Sequence, residues 1–472
     1  MSAATTGAAA ANPYLRPPFG PVQGEAEARD LRVIGELPRD LRGVYARNGP
    51  NARFQAAGAY HWFDGDGMVH AVSFRDGRAD YRARYVQSDH FRAETEAGRA
   101  LWTGLLEPVH TNPRGAPYKD TANTDLVVHD GRMLALWYIS GVPVALDPDT
   151  LESLGPPGWA RDQPFRVSAH AKVCPGTGEL LFFDYGPRPP WMRYGVVSRG
   201  GRLTHLTEVA LPGPRLPHDM AFTERYSVLM DLPVFHRADA LAAGRWLIDY
   251  HPDLPARFGV LPRHSAGSEI RWFEAEPCYI YHVVNAWEDG DAIEMLACRT
   301  TSPLPAPDPA DGPLARMMAN LRLKARLHRY RFDLRTGQTT EAPVDDLVTE
   351  FPAIDQGRAG RPTRHAWLVS VADTPTLCFD GLVKYDLETG RSLTHRFGEG
   401  RFGSEAVFVP REGARAEDDG YVLSFVTDAR DDTSAVVVLD GQDFEAPPLC
   451  TVELPRRVPL GFHACWAPAE TA

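Results

Sequence analysis

Three stretches share one design: YRFDLRTGQTT (330–340), VKYDLETGRSL (383–393) and VVVLDGQDFEA (436–446). Each is an apolar run that ends on an aspartate, then a polar turn, then a second run, which is how an antiparallel hairpin is written in sequence. The aspartates Asp333, Asp386 and Asp440 lie 53 and 54 residues apart, and VALDPDTLESL (144–154) repeats the feature at Asp147. Short strands repeating at a period near 50 are the mark of a β-propeller, one four-stranded blade per repeat. Less a tail and loops, the chain holds about seven such repeats, so the fold predicted is an all-β, seven-bladed β-propeller.

Glycine and proline number 41 each and are spread along the chain, so no linker divides it. Residues 1–12 are Ala/Thr-rich, with no basic start and no apolar centre. They read as a disordered N-terminal tail rather than a signal peptide, and 13–472 as a single propeller domain. Helix is scarce. The best pattern is LARMMANLRLKARL (314–327), where Leu314, Met317, Met318 and Leu321 recur at helical spacing opposite Arg316, Arg322, Lys324 and Arg326. It is expected to pack on the propeller with its basic face in water, and SPLPAPDPADGP (302–313) to be a long loop within the same domain.

Composition narrows the function classes. Of the chain's 472 residues, 43% are hydrophobic and 24% charged, which supports a large core and excludes disorder. Fifty basic against 62 acidic residues, with no long run of either sign, argue against binding nucleic acid through its phosphates. No window approaches 18 consecutive apolar residues, so no membrane span is expected. The cysteines at 174, 278, 298, 378, 450 and 465 form no CxxC pair and read as reduced, mostly buried thiols of a cytoplasmic protein.

The phosphate loop GxxxxGK[ST], the nucleophile elbow GxSxG and the zinc helix HExxH are absent. DGDG (64–67) lacks the later oxygen ligands of a calcium loop and reads as a tight hairpin turn. The histidines say more. His90, His205, His251, His264 and His395 stand in polar surroundings and are expected at the surface. Four others follow small or apolar residues within strands: SAHAKV (His170), LPHDMAF (His218), IYHVVNAW (His282) and LGFHACW (His463). Their separations of 48, 64 and 181 residues are close to whole numbers of blades. A lone strand histidine is usually a packed core residue, but four at equivalent places in different blades can converge on the propeller axis. Such a set points to a metal, and imidazole-only ligation suits Fe(II), Cu or Zn alike.

At this point the chain resembles a known family. GVYARNGPN (43–51), YHWFDGDGMVHAV (60–72), AHAKVCPGTGEL (169–180), LPHDMAFTERYSV (216–228), YHVVNAWEDGD (281–291), EFPAID (350–355), SEAVFVPREGARAEDDGYVLSFVTD (404–428) and PLGFHACW (459–466) are similar to stretches of the carotenoid cleavage oxygenases. The resemblance runs nearly end to end. It implies a seven-bladed propeller capped on one face by loops and short helices, with one Fe(II) held by His170, His218, His282 and His463. It also implies dioxygen as co-substrate and an alkene cleaved to two carbonyl products.

Ligating imidazoles normally donate their second N–H to an outer acceptor. The family uses three glutamates for this. Glu350 is expected on His282 and Glu405 on His463, while the third position, after the strand MLALW, holds Tyr138 in this chain. Two arrangements follow for Tyr138. Either its hydroxyl serves His218, or it points into the substrate tunnel and leaves His218 to another acceptor. By the same resemblance Thr124 crowds an open metal position, and Trp62, Phe63, Trp137 and Tyr281 are tunnel-wall candidates. Trp137 stands where stilbene-cleaving members place a phenol-anchoring lysine, which favours an apocarotenoid substrate.

The reading is therefore an enzyme, a non-haem iron dioxygenase acting on an apolar conjugated alkene, with peripheral membrane contact for substrate uptake as a further expectation. The alternatives are a stilbene or phenylpropenoid dioxygenase, or a weakened propeller that binds or isomerises an apolar ligand.

Overall fold

The computed structural model describes residues 12–113 and 117–469. Its strands form seven antiparallel sheets of four or more strands around one axis, a seven-bladed β-propeller. The aspartate repeat sits at one place in four blades. Asp333, Asp386 and Asp440 end the third strands Arg326–Asp333, Phe379–Asp386 and Thr433–Asp440, and Asp147 follows the third strand Val144–Leu146. In each case Oδ1 accepts two backbone N–H groups of the turn: from Asp149 and Thr150 (3.1 and 2.9 Å), Arg335 and Thr336 (2.9 and 2.8 Å), Glu388 and Thr389 (both 3.1 Å), and Gln442 and Asp443 (2.8 and 3.1 Å). Aspartate is required there because its short side chain satisfies turn amides that the strands cannot.

Numbering blades from the N-terminus, their innermost strands are Ala464–Pro468, Asp125–His129, Lys172–Val173, Ala221–Phe222, Tyr279–Asp289, Thr349–Ala353 and Val407–Pro410. The ring is closed from both ends of the chain. Ala464–Pro468 pairs with Gly43–Arg47 to become the inner strand of blade 1, while Val33–Gly35 pairs with Cys450–Glu453 on the outside of blade 7. Closure of this kind removes the exposed edges that an open stack of sheets would leave.

Several sequence expectations change. The helix expected over 314–327 is a 3-10 turn, Pro309–Leu314, and a short helix, Ala315–Asn320; from Arg326 the chain is already strand. The buried positions Leu327, Tyr330 and Phe332 belong to the sheet, so strand pairing overrides the helical spacing upstream. The longest helix among the described residues, Asp89–Ala97, was not foreseen; Ser88 caps its N-terminus by accepting from Phe91 N–H at 3.2 Å.

DGDG is not a hairpin turn. Asp64 closes a 3-10 turn by accepting from His61 N–H at 2.7 Å, and Asp66 pairs with Lys119 at 2.6 Å. The expected tail lies outside the described residues except Asn12, which is buried and donates to the Tyr60 carbonyl at 2.8 Å. His264 is exposed, but His90, His205, His251 and His395 are half-buried. All six cysteines are free thiols, five of them buried.

In three of the four turns the residue four positions after the aspartate is left-handed. Gly337 and Gly390 supply it at φ 81° and 70°, whereas blade 2 uses Leu151 at φ 58°. An alanine Cβ at Gly390 meets nothing within 4 Å, so Gly390→Ala isolates the backbone term. It should lower unfolding stability by about 1–2 kcal/mol, read from the urea midpoint. An unchanged midpoint would refute the strain at this position.

Candidate metal centre and its cavity

Each blade contributes a histidine or an acid to the axial cluster from its innermost strand or the residues just before it. Blades 1, 3, 4 and 5 supply His463, His170, His218 and His282; blades 2, 6 and 7 supply Asp125, Glu350 and Glu405. The four histidines and both glutamates are buried. The carboxylates meet the imidazoles in pairs. Glu350 Oε2 lies 2.5 Å from His282 Nδ1, Glu405 Oε1 lies 3.1 Å from His463 Nδ1, and Asp125 Oδ2 lies 3.1 Å from His170 Nδ1. A carboxylate on Nδ1 sets the tautomer that leaves Nε2 as a lone-pair donor.

Those Nε2 atoms have no other use. His170 Nε2 and His282 Nε2 are buried without a hydrogen-bond partner among the described residues, a costly state for a polar atom in a dry core. One nitrogen from each of His170, His282 and His463 lies within 4.8 Å of the others. Burial holds His170 and His282 well below the usual imidazole range and His218 at about 3, so all three stay neutral donors. At His463 burial acts in the same direction, but the carboxylates of Glu405 and Asp125 outweigh it and raise the value. Orphaned nitrogens, neutral rings and a flanking set of carboxylates fit a divalent cation.

His218 stands slightly apart. Its ring centroid is 4.8 Å from His170 and 5.2 Å from His282, but it is not in the set of three whose nitrogens gather. Neither of its ring nitrogens has a carboxylate partner among the described residues. Tyr138 does not replace one. Its ring packs 5.7 Å from that of His218, and no hydrogen bond joins the two among the described residues. Of the two arrangements left open by the sequence, the structure shows the tyrosine facing the cavity. Burial pushes its phenol up, so it stays protonated.

The backbone is strained at this site. His170 has φ 63°, Phe351 beside Glu350 has φ 46°, and Ala122 and Ser140, near Thr124 and Tyr138 in sequence, have φ 47° and 79°. Non-glycine residues avoid this region, and such strain gathers where a side chain must be aimed.

Above the centre lies a cavity of about 1570 Å³ bordered by His218, His282 and His463. Thr124, Phe63, Tyr281 and Tyr138 line it, and Trp62 borders it while packing fully buried between Tyr14 and Phe462. The Thr124 hydroxyl is occupied, donating to Asn123 Oδ1 and accepting from Tyr138 N–H, both at 3.1 Å. What it offers the cavity is carbon. Trp137 does not line this space. It lies just after the strand Arg132–Leu136 ends and faces a separate pocket of about 40 Å³ beside Lys119, while Tyr138, in the turn that follows, faces the cavity. Sequence reading missed Asp125, although TANTDLV places an acid at the head of an inner strand, and it missed Trp246, Phe351 and Phe462 on the cavity wall.

Fold and site together define the class: a propeller whose axis carries a buried histidine cluster suited to a metal ion, at the foot of an aromatic-walled cavity. Residues 19–468 match the family described as retinal pigment epithelial membrane protein, and the chain belongs to that family, the carotenoid cleavage oxygenases. It is 35% identical to carotenoid 9,10(9',10')-cleavage dioxygenase 1 of Arabidopsis thaliana, over 97% of this chain and 90% of that one. Isoeugenol monooxygenase of Pseudomonas nitroreducens is 32% identical, over 97% and 98%. The crystal structure of Pseudomonas brassicacearum lignostilbene dioxygenase superposes with a TM-score of 0.88 at 29% identity, covering 97% of this chain and 99% of that one.

Two outcomes follow for metal affinity measured by chelator competition. Asp125→Ala, which removes the partner of His170, should weaken binding by about 10–100-fold. Tyr138→Phe should leave it unchanged, because no bond to His218 is lost. A large loss with Tyr138→Phe would restore the tyrosine as that ligand's support.

Proposed function

We propose that the protein is a non-haem Fe(II) dioxygenase that cleaves a C=C bond of an apolar conjugated substrate, an apocarotenoid by preference. The observation that carries this is the orphaned Nε2 set on the axis opening onto a large aromatic-walled cavity. His170, His218, His282 and His463 would hold the iron. Zinc has no redox chemistry, so the oxygenase family favours iron among the metals that imidazoles suit. Bound iron supplies the oxygen chemistry, in which one alkene and one O₂ become two carbonyl products.

The chain's own residues do the rest. Glu350, Glu405 and Asp125 hold three imidazoles in one tautomer and orientation. Phe63, Phe351, Phe462 and Trp246 present apolar surface that excludes water and seats a long conjugated chain beside the histidines. Thr124, whose backbone carbonyl accepts from His463 N–H at 3.2 Å, narrows the space next to that ligand. No proton-transfer group is needed, because the overall reaction moves no proton.

Family membership does not favour a propeller that merely binds or isomerises its ligand. A stilbene or phenylpropenoid remains the second substrate reading. It draws support from the hydroxyls of Tyr138 and Tyr281, which line the cavity without hydrogen-bond partners among the described residues. Cytoplasmic placement is part of the proposal, supported by the free thiols. No helix among the described residues is long and apolar enough to cross a membrane.

Oxygen uptake by the iron-loaded protein, with a panel of apocarotenals and hydroxystilbenes, tests the reaction. Uptake with apocarotenals and two carbonyl products is expected; uptake with hydroxystilbenes alone would reverse the substrate preference. In the same preparation His282→Ala should lose its iron, and full retention would refute the ligand set.

A further inference from the structure

The metal centre lies between two cavities, and the reaction proposed above uses only one. The second, of about 440 Å³, reaches from exposed Gln356 and Gly357 down to His170, His282 and His463. His282 and His463 border both spaces, whereas His170 borders only this axial cavity and His218 only the substrate cavity. A cation bound among these rings is therefore approachable from two sides.

The two approaches differ in charge. The axial cavity is bordered by Asp125, Asp219 and Glu405 against Lys172, three acids and one base, for a formal net −2. The substrate cavity is bordered by Arg53, Arg245 and Arg316 against Glu107 and Asp249, for a formal net +1, and most of its wall is apolar. Carboxylates lining a narrow passage with low-dielectric walls focus their field and raise the local cation concentration. Lys172 opposes that field from within the passage. Its Nζ is 2.7 Å from Asp219 Oδ1, and its side chain is 26% exposed against 1% for Asp219. Asp219 cannot turn away, because its other oxygen accepts the Val283 N–H at 2.7 Å.

We propose that the axial cavity is the passage by which the metal ion enters and leaves the centre, and that the Lys172 ammonium, tethered to Asp219, sets the rate. This rests on the metal-centre reading above. An incoming divalent cation must pass a fixed positive charge, and removing that charge leaves Asp219 as an uncompensated carboxylate on the path. Substrate then reaches the metal by one route and the ion by another, so a filled substrate cavity does not trap the ion.

The test uses the full-length chain loaded with Co(II) to one ion per chain; a chain that takes up no Co(II) would refute the centre and the passage with it. Release into excess chelator is followed by stopped flow for the parent, Lys172→Met and Lys172→Arg, each with and without a saturated long-chain alcohol at a concentration that fills the substrate cavity. Lys172→Met should release and load about tenfold faster, Lys172→Arg should match the parent, and the alcohol should change none of the rates. Equal rates for Lys172→Met and the parent, or release slowed by the alcohol, would overturn the proposal. A check without variants is the salt dependence: Co(II) loading of the metal-free parent should slow several-fold between about 20 and 500 mM salt as the carboxylate field is screened, and salt-independent loading would overturn it equally.

Discussion

Imidazole–carboxylate pairing on the axis is the constraint from which the rest of the structure follows. Burying four histidines and two glutamates beside a half-buried Asp125 at the centre of a propeller is costly unless each acid meets a donor. Seven blades meet that demand by giving four positions to histidine and three to acids, so that Asp125, Glu350 and Glu405 each face His170, His282 and His463. The left-handed backbone at His170 and Phe351 follows from the same demand, since both lie where an inner strand must aim a side chain inward. A metal ion would complete the arrangement by taking up the nitrogens that the acids leave free.

Much of this was legible in the sequence because propellers write their geometry as a period. The Asp333, Asp386 and Asp440 spacing marks real turns, each made by the same carboxylate accepting the same pair of amides. The four histidines were legible for the same reason. What escaped was whatever depends on direction rather than spacing. Asp125 sits in register with the histidines, but an acid at a strand head reads as a solvated end until the fold turns it inward. Trp137 and Tyr138 are adjacent, and only the structure says which of them faces the cavity. The helical spacing at 314–327 was real but local: Met317, Met318 and Leu321 are buried, yet the chain is recruited into blade 5 by Arg326.

Tyr138 gives the centre an asymmetry. Three rings are held by acids from neighbouring blades, and the fourth, His218, is held only by packing against Tyr138, Tyr281 and its fellow histidines. Tyr138 thus adds a neutral wall to the larger cavity and no charge beside His218. His218, the ring without a carboxylate partner, is also the one that borders the larger cavity alone.

Closure of the ring from both ends carries a consequence for how the molecule is made. His463 lies one residue before the strand Ala464–Pro468, which can pair with Gly43–Arg47 only after blades 2 to 7 have been made. During synthesis the other three histidines emerge long before the fourth, on blades that have no fixed order around an axis until the last strand docks. A nascent chain that has not yet made this strand therefore lacks the fourth histidine, and the four rings meet only when the ring of blades closes.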